Sequence, residues 1–196
     1  YTLLSNGLLH NDVTTIIGTN LEDYTKESKI KNEELVFTKG AQKSLNKNVI
    51  RSVSDAFSSK GGIKILKGNI GRSVIKTAAV DEENLIVEAP AIVFTEQSQM
   101  IKAFQENKLD KDFIAVIPFQ GPKQNGMPEL HKLTPTLTIL QKRGYKVGLI
   151  TDGRMSGASG KVPAAIHLTP EAKDGGIISK IETGDLIRLN AIEGTL

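Results

Sequence analysis

The sequence contains no cysteine and no tryptophan in 196 residues, and aromatic residues make up only 5% of it. The lack of cysteine excludes a secreted disulfide scaffold, and it equally excludes a thiolate-held metal or cluster within this chain. With so few rings, the core has to be built mainly from Ile, Leu, Val and Ala. No apolar run approaches the ~20 residues that a membrane-spanning helix needs. Charge of one sign is also scarce: 25 Lys and Arg against 22 Asp and Glu leave a net +3. The basic residues are spread along the chain, which speaks against a nucleic-acid binder with its clustered basic face and fits a small anionic ligand equally well. The three histidines, His10, His131 and His167, form no metal-spaced pair. The chain opens on Tyr1 with no charged-then-apolar leader. We expect an internal piece of a longer, cytoplasmic protein.

What is present is the balance of a soluble globular domain, 39% hydrophobic and 24% charged residues. Residues 1–50 read as an arm and connecting segment, and 51–196 as the main domain. In the first part, Thr14 to Tyr24 could form a short helix. Lys26 to Arg51 is polar, with one strand-like island at Leu35-Val36-Phe37, and reads as a mobile connection or surface excursion. Beyond Gly61, strands are expected at Ile63–Leu66, Ser73–Val80, Leu85–Phe94, Phe113–Ile117, Val147–Ile150, Pro163–Leu168, Ile177–Ile181 and Leu186–Ala191. Pro90 inside the third of these argues for an edge, a bulge or a break. Met100, Ile101, Ala103 and Phe104 are spaced as on a helix. A second helix is expected from Leu133 to Arg143, ended by Gly144. Strands outnumber helices, so the expected fold is a strand-rich, mixed α/β domain, a barrel-like sheet with flanking helices.

Three segments carry residues suited to chemistry. The first, Thr151 to Lys161, follows a buried strand and interleaves three glycines and two serines with Asp152, Arg154 and Lys161. Glycines allow close backbone approach, and a nest of N–H groups binds carboxylate or phosphate. A phosphate-loop reading fails on spacing, because Met155 stands where the first Gly is needed and Val162 where Ser or Thr is needed. A serine-hydrolase elbow fails as well, because Arg154 and Met155 precede Ser156. The second segment, Phe119 to Lys132, contains Glu129 after a rigid Pro128. The plain structural reading is a glutamate in the first turn of a helix; the functional one is a hard oxygen ligand for Mg²⁺. The third, Leu8 to Asp12, places His10 and Asp12 two apart, where a capping Asp beside a surface His is the common outcome.

Taken together, Leu9-His10-Asn11-Asp12-Val13, Gly68-Asn69-Ile70-Gly71 with Lys76-Thr77-Ala78, Gly126-Met127-Pro128-Glu129 and Thr151-Asp152-Gly153-Arg154-Met155-Ser156-Gly157 occur in this order in the dihydroxy-acid and phosphogluconate dehydratase family. The resemblance runs from about Leu8 to the end. The longer words Phe119 to Lys123, Glu129 to Pro135 and Ser156 to His167 resemble the 6-phosphogluconate dehydratase branch more than the branched-chain amino-acid branch. The resemblance implies a swivelling β/β/α carboxy-terminal domain and a hydro-lyase that dehydrates 6-phosphogluconate. The alternatives are a dehydratase of another dihydroxy acid or a non-catalytic anion-binding module. It also implies an iron–sulfur cluster whose ligands lie in a missing upstream domain, a Mg²⁺ ion shared with that domain, and a homodimer. By the same resemblance Ser156 is the base and Glu129 a Mg²⁺ ligand. Asp152, Arg154, Gly157, Ser159, Lys161 and Lys123 are candidates for substrate contact, with Ser159 and Lys161 at the phosphate end. Family members acting on plain sugar acids often carry Thr two residues after the base; Ala158 stands there in this sequence. The fragment alone is expected to be inactive.

Overall fold

The computed structural model describes residues 1–156 and 161–196. The chain divides into two compact units, Tyr1–Lys60 and Gly61–Leu196. Among the described residues no helix is long and apolar enough to cross a membrane.

The first unit holds a short helix, α1 (Thr2–Ser5), and an antiparallel hairpin of β1 (Lys26–Lys31) and β2 (Glu34–Lys39). The two loop residues, Asn32 and Glu33, both have positive φ, 52° and 67°. Such a turn matches the right-handed twist of its flanking strands. The expected excursion therefore contains a regular hairpin around the Leu35–Phe37 island. The helix expected over Thr14–Tyr24 does not form; only a 3-10 turn, Glu22–Thr25, is present. Three threonines, two further β-branched residues (Ile16 and Ile17) and Gly18 disfavour a helix there.

The second unit is a curled seven-stranded sheet. Its strands are β3 (Ile63–Gly68), β4 (Gly71–Lys76), β5 (Ile86–Val93), β6 (Phe113–Ile117), β7 (Val147–Thr151), β8 (Ala164–Thr169) and β9 (Leu186–Asn190). They lie in the order β3-β4-β8-β7-β6-β5-β9, with β5 to β8 parallel and the outer strands antiparallel. The two edges are joined by the last residues of the chain: the Lys67 N–H donates to Gly194 O (3.0 Å), and the Leu196 N–H donates to Lys67 O (3.2 Å). The sheet thus curls toward a barrel, as the strand count predicts.

Alternation along the strands separates two cores. Ile114, Val116, Ile150 and Ala165 point to one side, where they meet Leu66, Ile75, Ile187 and Leu189. Phe113, Ala115, Ile117, Val147 and Leu149 point to the other, where Met100 of α2 (Gln97–Gln105) and Leu137 and Leu140 of α4 (Thr134–Lys142) cover them. Each fully buried Leu or Ile contributes roughly 1.5–3 kcal/mol. Pro90 lies inside β5, which pairs with β9 through Ile86–Pro90 and with β6 through Ala91–Val93. The residue without an N–H therefore falls where the strand changes partner. The apolar run Ile177–Ile181, expected as a strand, is instead a 3-10 turn, Ile177–Lys180. So short a run cannot be told from a helical turn by periodicity. Gly176 just before it leaves no room for a side chain, since an added Cβ would lie 1.9 Å from Pro170 O.

Candidate active site

The carboxyl ends of parallel strands are where open α/β sheets bind ligands, and here three loops meet at that edge. Thr151, the last residue of β7, donates its hydroxyl to Ile117 O at the end of β6 (2.7 Å) and accepts the Gly153 N–H (2.9 Å). Asp152 is 1% exposed. One of its oxygens accepts the Gln120 N–H in the loop after β6 (2.8 Å), and the other accepts the Ala172 N–H in the loop after β8 (2.9 Å). Amide bonds to an ionised carboxylate are among the strong ones, and they satisfy this buried group. Glu171 reinforces the tie by accepting the Lys123 N–H at the start of α3 (Pro122–Asn125). The Lys123 ammonium pairs with Asp174 at 2.6 Å, and that hydrogen bond holds its pKa above the usual lysine value. Gly121 and Gly153 are required by this packing: an added Cβ would lie 1.9 Å from Glu171 Oε2 and 2.7 Å from Gln120 Cβ, respectively.

On this frame the segment 126–130 is laid along 154–156. Gly126 and Met127 both adopt left-handed φ, 66° and 58°, and turn the chain into Pro128. Such a φ on Met is costly and tends to mark functional sites. Glu129 then forms a parallel bridge with Arg154, and the Leu130 N–H donates to Arg154 O (3.1 Å). Glu129 lies ahead of the helix, which begins only at Thr134, so it is not a first-turn glutamate. One Glu129 oxygen accepts the Ser156 N–H at 2.8 Å, and the other lies 3.6 Å from the Arg154 guanidinium. Arg154 Nε also donates to Met127 O (2.9 Å). Met155, between them, is buried and accepts the Thr134 hydroxyl on its sulfur. Ser156 is exposed. The Gln97 side-chain amide donates to Glu129 O (3.2 Å) and lines a cleft of about 640 Å³ with Phe119, Gln120, Pro128 and Lys132, a volume in the range of small-molecule sites.

Glu129, Arg154 and Ser156 are therefore brought together. Asp152 and Lys123 are engaged in ties between loops. Lys161 is exposed and in no ion pair among the described residues. Gly157 and Ser159 lie outside the described residues. His10 and Asp12 belong to the first unit and are exposed. His167 sits at an irregularity of β8 with φ 56°, its N–H donating to Gly153 O (2.9 Å). Gln120 and Glu171 escaped the sequence reading because their partners lie 32 and 48 residues away and are reached through backbone amides.

A hard carboxylate such as Glu129 suits Mg²⁺, which takes one or two carboxylates together with water or substrate oxygens. Among the described residues no group of three or more His, Cys, Asp and Glu could hold a metal ion; Glu129 would offer a single carboxylate. With no cysteine, the chain offers no thiolate to an iron–sulfur cluster.

The family model described as "Dihydroxy-acid/6-phosphogluconate dehydratase C-terminal" matches residues 48–196, and the chain belongs to that family. It is 54% identical over 194 residues to the phosphogluconate dehydratase of Escherichia coli K12, and 49% identical over 194 residues to that of Pseudomonas aeruginosa; each alignment covers 99% of this chain and 32% of the relative. It is 38% identical over 188 residues to a dihydroxy-acid dehydratase of Caldanaerobacter subterraneus, with 94% of this chain and 31% of the relative covered. The chain thus spans about a third of the length of the curated relatives it matches.

Proposed function

We propose that this chain is the carboxy-terminal part of a hydro-lyase that dehydrates 6-phosphogluconate to 2-keto-3-deoxy-6-phosphogluconate in the Entner-Doudoroff pathway. The observation that carries the reading is the clasp of Glu129 on the Ser156 amide beside Arg154. The higher identity to phosphogluconate dehydratases than to the dihydroxy-acid dehydratase favours the phosphorylated sugar acid. Residues 1–50 come from the region between the two domains of the full-length protein, which acts as a cytoplasmic homodimer.

In this reading Ser156 takes the proton from C2 of the substrate. The 3-hydroxyl leaves as water, and the resulting enol becomes the 2-keto acid. A free serine is a weak base, so its alkoxide needs positive potential and N–H donors nearby. Arg154, two residues before Ser156, supplies positive charge; Gly157, outside the described residues, is the candidate amide donor. Arg154 and Lys161, with Ser159, meet the substrate's anionic groups. Asp152 and Lys123 serve by holding the loops. Glu129 would be the chain's ligand to Mg²⁺, and an iron–sulfur cluster on the upstream domain would supply Lewis acidity at the leaving hydroxyl when bound.

In the full-length enzyme, Ser156→Ala should lower turnover by roughly 10²–10⁴, read as 2-keto acid formation, with the iron content unchanged. Activity within a few-fold of the parent would remove Ser156 as the base.

A further inference from the structure

The alternation that places Ser73 and Ile75 in the core turns Val74 and Lys76 to the opposite face of β4, where Val74 packs against the cluster containing Met155. The Lys76 ammonium reaches Met155 O at 3.4 Å, across 79 residues of sequence. That carbonyl and the Ser156 N–H belong to one peptide unit, and the N–H is held by Glu129 at 2.8 Å. The Met155–Ser156 peptide is thus gripped from both ends, by a cation on its oxygen and an anion on its hydrogen. The arrangement follows the peptide dipole; the Glu129 bond has the length of a charge-assisted one, and the Lys76 contact is longer and mainly electrostatic. Lys76 is half-buried and in no ion pair among the described residues. A long side chain often covers apolar surface with its head in water; this one brings its head back onto the backbone beside Ser156.

We propose that Lys76 is a positioning residue of the dehydratase site, fixing the plane of the Met155–Ser156 peptide and with it the direction of the Ser156 hydroxyl. The proposal rests on Ser156 being the base, as argued above. Small misplacements of a reacting group cost on the order of 100-fold in rate. The test is made in the full-length enzyme with Lys76→Met and Lys76→Arg beside Ser156→Ala. For Lys76→Met we expect kcat to fall about 10- to 100-fold with KM within about twofold, the pattern of an interaction needed in the transition state. Lys76→Arg should recover part of kcat, and hydrogen exchange at the Ser156 amide should quicken in Lys76→Met alone. A Lys76→Met enzyme with parental kcat, while Ser156→Ala is inactive, would overturn the role of Lys76 and leave the base in place. Equal losses in both Lys76 variants, with a lowered Tm and an unchanged split between kcat and KM, would also overturn it by making Lys76 merely structural. An active Ser156→Ala enzyme would instead remove the reading beneath the proposal.

Discussion

At the residue scale, Asp152 shows how the site is kept in shape. Its two oxygens each accept one backbone amide, from loops that follow two different strands. Asp152→Asn keeps the shape but turns an NH₂ toward one of those amides, leaving buried donors opposed and unsatisfied. We expect a loss of about 1–3 kcal/mol in unfolding free energy, measured by urea denaturation; an unchanged midpoint would show that the loops are held by other means. Lys123 behaves differently because it is exposed. Its pKa is raised by the Asp174 hydrogen bond, so its contribution is complete below the unfolded-state value and is lost only as pH climbs through the raised folded-state one. Thermal stability of Lys123→Met relative to the parent should therefore be independent of pH from about 6 to 9. The site was legible in the sequence where chemistry is written in side chains: Glu129 and Ser156 stand in motif words, and the fold brings them into contact. It was illegible where backbone does the work. Nothing in Asp152 announces that amides 32 and 20 residues away will occupy both its oxygens, and Lys76, though it stands in a motif word, shows what it touches only once β4 is laid beside the loop after β7.

At the element scale, the strands that could be read are those whose burial is decided by a continuous apolar run. Phe113–Ile117 and Val147–Thr151 are buried at every position, and α2 and α4 carry apolar residues at helical spacing. What could not be read was order. The sequence neighbours β4 and β5 are not paired, and β4 lies instead against β8. The closure of the sheet was also hidden, since it depends on contacts between Lys67 and residues 194–196 rather than on any pattern within β3. Gly68 marks that closure, because a Cβ there would fall 1.6 Å from Leu196 O. Gly68→Ala must push the terminal segment off β3, giving up the Lys67 bonds and part of the burial of Leu196. A destabilisation of roughly 1–3 kcal/mol is expected, seen as a lowered denaturation midpoint; a neutral outcome would mean that the two sheet edges need no bridge.

At the scale of the whole molecule, the second unit has what an autonomous domain requires: two apolar cores on either side of one sheet, helices over one of them, and both sheet edges engaged by the chain's own residues. Its chemistry is less complete than its fold. In the proposed role Glu129 would give one oxygen to a Mg²⁺ that needs further oxygens to complete its shell, and the chain has no cysteine for a cluster. Stability and activity should therefore separate. Purified alone, the chain should unfold cooperatively in urea, retain no iron after reconstitution with iron and sulfide, and show no formation of 2-keto acid from 6-phosphogluconate. Added Mg²⁺ should shift its unfolding midpoint little, because a single carboxylate binds the ion weakly and weak binding contributes little through mass action. Turnover by the isolated chain would mean that these residues do the chemistry unaided. A large Mg²⁺-dependent stabilisation would place further metal ligands within it.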